Sequence, residues 1–138
     1  MDTTLLDGII DLLRTRLPGL LAVYLFGSHA SGHAGPDSDI DLAVLVDGKV
    51  TTLDLWNLAQ ELASRADCDV DLLDLRAAST VMQYQVITNG KRIWEKNSEP
   101  ALYECYILSE KTALDEARAG LLLDIQREGT VYGKPARP

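Results

Sequence analysis

Gly27-Ser28, a gap of ten residues, and then Asp39-Ile40-Asp41 form the stretch of this chain whose residue types and spacing specify a chemistry. The Gly-Ser pair follows an apolar run, Leu20 to Phe26, that reads as a buried strand. It therefore falls where a strand ends and backbone amides are free to hold phosphate oxygens. Asp39 and Asp41 stand two apart at the head of a second apolar run, Ile40 to Val46, and the two-residue period of a strand turns both carboxylates to one face. Two carboxylates about 6 Å apart at an effective dielectric of about 20 repel by roughly 3 kcal/mol. A divalent cation removes that repulsion, and oxygen-only ligands suit Mg²⁺, which is typically held by carboxylates together with substrate phosphates. The pattern points to a site completed by metal and nucleoside triphosphate. Four such fixed positions match by chance about once in 10⁵ starts, so a merely solvated strand face is the weaker account.

The elements that must position these residues follow from hydrophobic period. Leu5, Leu6, Ile9, Ile10, Leu12, Leu13 and Leu17 recur at helical spacing, with Thr3 and Thr4 as candidate caps and Pro18-Gly19 as the stop. After the first strand, Ser28 opens a short helical turn and residues 32–37 form a Gly- and Pro-containing loop. Asp47-Gly48 marks the exit of the second strand, and a helix over Thr52–Ala66 turns Leu55, Leu58, Ala59 and Leu62 inward. A third strand over 68–75 carries Asp69, Asp71 and Asp74. Asp69 and Asp71 share a face while Asp74 lies on the other, so periodicity disfavours Asp74 and leaves the first two open. Ser79 caps a helix over Thr80–Asn89, Gly90 is its expected left-handed terminator, and Lys91–Glu95 reads as a last strand. Residues 96–100 break the pattern. They lead into a helix over 101–128 with an apolar series Leu102, Tyr106, Leu114, Leu121 and Ile125, suited to packing on the core or docking a partner.

A chain of 138 residues, 46% hydrophobic, can bury a core without staples. Its net charge of −8, with no basic stripe, argues against a protein that grips nucleic acid directly, because neutralising phosphates dominates such affinity. An acidic body suits a basic protein partner instead. Cys68 and Cys105 follow no CxxC or zinc pattern and no charged-then-apolar leader opens the chain, which sets a reducing cytoplasm as the expected location. No apolar run approaches the roughly 18 residues of a membrane span. His29 and His33, four apart, read as exposed polar side chains rather than zinc ligands, which would need further nitrogen or sulfur donors nearby. Trp56 and Trp94 are expected to pack, and Arg76 is expected at the surface, with neutralisation of a triphosphate as its sharper role. A GxxxxGK loop and a dinucleotide-type glycine fingerprint are both missing.

The segment Gly27-Ser28-x10-Asp39-x-Asp41 resembles the signature of the DNA polymerase beta superfamily of nucleotidyltransferases. The small size, with Asp69-Val70-Asp71-Leu72-Leu73-Asp74-Leu75 downstream, resembles its minimal nucleotidyltransferase (MNT) branch over about residues 5–95. The resemblance implies an α/β (α+β) fold, a small mixed sheet flanked by helices. It divides the chain into a core over 1–97 and a C-terminal helical extension of the same domain over 98–138. It implies that Asp39 and Asp41 bind two Mg²⁺ ions, that Asp71 is the third metal-site and catalytic carboxylate, that Gly27 and Ser28 bind the nucleotide, and that ATP is the donor. Members of the branch are commonly antitoxins paired with a HEPN-domain ribonuclease toxin, which some inactivate by transferring AMP to a toxin tyrosine. The segment 29–33, with its two histidines, departs from relatives that often carry a basic or bulky residue there. Two rivals stand beside this reading. One is a small-molecule, aminoglycoside-type nucleotidyltransferase, for which about forty residues after the core leave little room. The other is an antitoxin that acts by binding alone.

Overall fold

The strand sequences LLAVYLF and IDLAVLV are apolar at almost every position, as strands covered on both faces must be. The computed structural model describes residues 3–32, 35 and 38–128, with side chains to 119. Along it run α1 (Thr3–Arg16), β1 (Leu20–Phe26), the single turn α2 (Ser28–Ser31), β2 (Ile40–Val46), α3 (Thr52–Ala66) and β3 (Val70–Asp74). A 3₁₀ turn (Leu75–Ala77), α4 (Thr80–Asn89), β4 (Lys91–Glu95) and α5 (Glu99–Glu128) complete the order. The four strands form one mixed sheet in the order β3-β2-β1-β4, with β1 antiparallel to both β2 and β4 and β2 parallel to β3. Helix α3 is the crossover that the parallel pair requires.

Alternation along β2 splits the core in two. Ile40, Leu42, Val44 and Val46 pack with α1 and α3 through Ile9, Leu13, Leu58 and Leu62. Ala43 and Leu45 face the other way, joining Tyr24, Leu75 and Val86 under α4 and α5. Asp41, Ala43 and Leu45 alternate with the first set, so the Asp41 carboxylate belongs to the α4/α5 face. Capping follows the sequence at two helices: the side chain of Thr51 accepts from Asp54 N at 3.0 Å and that of Ser79 from Met82 N at 3.1 Å.

Several expectations are corrected. Helix α1 already begins at Thr3, so Thr3 and Thr4 lie in its first turn rather than before it. The third strand is shorter than 68–75, because the chain bends into the 3₁₀ turn at Leu75. Gly90 is extended (φ −88°, ψ −178°), not left-handed, since the chain runs straight from α4 into β4. Its requirement for glycine is a close approach: a Cβ there would lie 2.5 Å from Val86 O and 2.9 Å from Leu25 O. Helix α5 starts at Glu99, with Pro100 tolerated in its first turn. Its inward stripe is Pro100, Tyr103, Glu104 and Ile107, whereas Leu102, Tyr106 and Leu114 are exposed. Glu104 hides that stripe from a hydropathy reading. It accepts a 2.7 Å hydrogen bond from the Tyr24 hydroxyl and an ion pair from Arg92, which fix α5 to the sheet. The side chains of Leu121 and Ile125 and the residue His33 lie outside those described.

Candidate active site

Gly27 ends β1 with φ +72°, a conformation that side chains resist, and a Cβ on it would collide with the Asp41 carboxylate. Only glycine lets the turn after β1 come this near to β2. The bonds of α2 begin with Ala30 N and Ser31 N, which donate to Gly27 O at 3.2 and 3.1 Å. The amides of Ser28 and His29 therefore lie ahead of the first intrahelical bonds, the position from which a helix turn offers donors to an anion. A single four-residue turn carries little macrodipole, so these amides rather than a helix dipole supply the attraction.

Asp41 pairs with Phe26 across the β1–β2 ladder and with Asp71 across the β2–β3 ladder. Asp71 thus stands beside Asp41 on the same face, a distinction that strand period alone did not make between Asp69 and Asp71. Asp69 lies ahead of β3, its carbonyl accepting from Ile40 N at 2.9 Å, while Asp74 sits at the far end with its carboxylate turned to Arg76 N at 3.2 Å. Asp39 precedes β2 and is exposed, as is Asp71; Asp41 is half-buried. Burial pushes the Asp41 carboxyl above the ordinary aspartate range, and the Asp71 and Asp39 charges push it further, against a smaller downward pull from His29. This electrostatic strain is what a cation would relieve. The donors are hard oxygens, the ligand type that suits Mg²⁺ shared with phosphate. Among the described residues no group of three or more His, Cys, Asp or Glu is gathered closely enough to hold a metal ion without further ligands.

His29 was not singled out as functional by spacing. It is half-buried, its Nε2 3.3 Å from Ser38 O, and it bridges α2 to the residues entering β2. Arg76 does not reach the carboxylates. Its Nε donates to Val46 O at 2.8 Å and its guanidinium lies 5.2 Å from the Tyr103 ring centroid, at the other end of β2 from Asp41. Trp94 packs as expected against the first core cluster, under the Arg14 guanidinium. Trp56 does not: it is 59% exposed, because it lies about 100° round α3 from the inward-facing Leu55. Cys68 is half-buried and Cys105 exposed, and both are free. Burial, with the charges of Asp39, Asp69 and Asp67, raises the Cys68 thiol. No helix among the described residues is long and apolar enough to cross a membrane.

A family model described as polymerase beta, nucleotidyltransferase matches residues 7–99. The protein adenylyltransferase MntA of Shewanella oneidensis is 43% identical over 119 residues, which cover 86% of each chain. A crystal structure of a toxin-antitoxin with AMP-PNP contains a chain 42% identical that superposes with a TM-score of 0.77, covering 87% of this chain and 97% of that one. A further structure, of the tri-AMPylated Shewanella oneidensis HEPN toxin with its MNT antitoxin, matches at 39% identity and a TM-score of 0.75 over 91% of this chain and 99% of that one.

Proposed function

This chain belongs to the polymerase beta nucleotidyltransferase family, and on that premise we propose that it is the antitoxin of a HEPN toxin-antitoxin pair. It is a protein adenylyltransferase that moves AMP from ATP to a tyrosine hydroxyl of its cognate ribonuclease toxin and so silences it. The relatives named above support the reading, and the in-register Asp41–Asp71 pair beside the constrained Gly27 carries it. Residues 98–138 act as an extension of the same domain, and the cytoplasm is the setting.

In this mechanism Asp39 and Asp41, with Asp71, would hold Mg²⁺. Bound there as two ions, it would neutralise triphosphate charge and lower the pKa of the acceptor hydroxyl. Ser28 and the amides after Gly27 bind the β- and γ-phosphates. Asp71 orients the tyrosine hydroxyl and takes its proton as the phenolic oxygen bonds to the α-phosphorus and the bond to pyrophosphate breaks. Gly27 keeps the phosphate side close to Asp41.

Incubation of the full chain with its toxin, ATP and Mg²⁺ tests this. AMP mass on a toxin tyrosine, with ribonuclease activity still absent after dilution, is the expected result. Unmodified toxin that regains activity on dilution would mean masking by contact, and AMP on a small molecule instead would mean a different acceptor class.

A further inference from the structure

We propose that the edge of β3, which no strand among the described residues covers, together with the groove between it and α3, is the acceptor subsite, which takes the tyrosine-bearing segment of the toxin as an extended strand with Trp56 as its anchor. The assignment presupposes adenylyl transfer to a toxin tyrosine.

Asp41 has different neighbours on its two flanks. Towards β1 lie Phe26, Gly27 and Ser28; towards β3 lies Asp71, and among the described residues β3 is the last strand of the sheet. In an in-line displacement the attacking and leaving oxygens stand on opposite sides of the phosphorus. With the leaving phosphates held on the β1 flank, the acceptor must arrive over β3. An edge strand presents unpaired backbone groups, and adding a strand to such an edge is a recurrent mode of peptide recognition.

Strand geometry then selects the acceptor. A residue paired opposite Asp71 points to the same face as Asp71, and strands lie about 4.8 Å apart. Its hydroxyl has to pass over Asp71 towards Asp41. A serine hydroxyl, one bond beyond Cβ, stops short, whereas a phenol oxygen sits across a ring and spans that gap. The neighbours of the tyrosine point to the opposite face. There the groove is lined by Leu55, Trp56 and Gln60 of α3 with Val70, Asp71 and Leu72 of β3. Asp71 thus borders both the groove and the carboxylate row, which joins docking to chemistry. Trp56, 59% exposed, is the large apolar surface an incoming side chain would cover. Asp67, Asp69 and Asp71 are exposed along the approach to this edge, so a tyrosine flanked by basic residues is the favoured occupant.

The test compares the full chain with Trp56→Ala and Trp56→Phe. KM for the toxin should rise about tenfold in Trp56→Ala. Turnover at saturating toxin and affinity for a non-hydrolysable ATP analogue should be unchanged, with Trp56→Phe recovering most of the loss. An unchanged KM in Trp56→Ala, or a fall in turnover alone, would overturn the assignment. Should the unsubstituted chain add no AMP to toxin, the transfer reading falls and the groove is judged by toxin binding. A tenfold weaker Kd in Trp56→Ala keeps the docking site; an equal Kd removes it.

Discussion

Asp41 concentrates the electrostatic tension of the site, so substitutions there separate stability from catalysis. Its folded carboxyl titrates above the unfolded one, so the native state holds this proton more tightly than the unfolded chain does. The stability so gained is full at acid pH and is lost as pH rises through the ordinary aspartate range to the raised folded value. Asp41→Asn escapes that loss. It should melt above the unsubstituted protein at neutral pH, without Mg²⁺ or ATP, and the two should converge at acid pH in thermal scans. AMP transfer by the variant should be abolished, and full activity would remove Asp41 from the metal site. Asp71→Asn should lower turnover far more than it weakens ATP binding, while Asp69→Asn, two residues before the partner of Asp41 and ahead of β3, should leave turnover nearly unchanged. Gly27→Ala combines an unfavourable φ with a collision at Asp41, so nucleotide affinity measured by calorimetry should fall at least tenfold. The Gly-Ser and aspartate positions were legible because their types and spacing are local. The choice of Asp71 over Asp69 required a parallel register, and the actual surroundings of His29 and Arg76 are set by loops and turns that no short-range period encodes.

Among the elements, those set between clear turn and cap residues were the easiest to read. β1, β2, α3 and α4 are bounded as their apolar runs and caps predict, since each lies between fixed turn residues. Leu102, Tyr106 and Leu114 of the apolar series of α5 do not pack on the core, because the inner stripe of the helix contains Glu104, held there by the Tyr24 hydroxyl and Arg92. Burial and the Glu104 carboxylate together push the Tyr24 hydroxyl upward, so it remains a donor at any working pH. Tyr24→Phe removes that donor while Arg92 still holds Glu104, and urea unfolding should show a loss of about 1 kcal/mol with ATP affinity retained. Truncating Leu62, fully buried between α3 and the sheet, should cost more, roughly 2–5 kcal/mol for Leu62→Ala by the same measurement.

For the molecule as a whole, the candidate site is assembled from three separate stretches, 27–28, 39–41 and 71, brought side by side by one antiparallel and one parallel pairing. With nucleotide and acceptor on the opposite flanks of Asp41 proposed above, both would be bound at once. Initial rates measured across ATP and toxin concentrations should give intersecting rather than parallel reciprocal plots, the pattern of a direct transfer without an adenylylated enzyme. The edge position of β3 also bears on how many times one toxin is modified. A subsite along the β3 edge, as proposed above, would let the modified segment leave sideways, since no strand among the described residues covers that edge. Each addition then begins with a fresh encounter. At partial turnover, mass spectra should show singly modified toxin building up ahead of more heavily modified forms, the signature of a distributive enzyme.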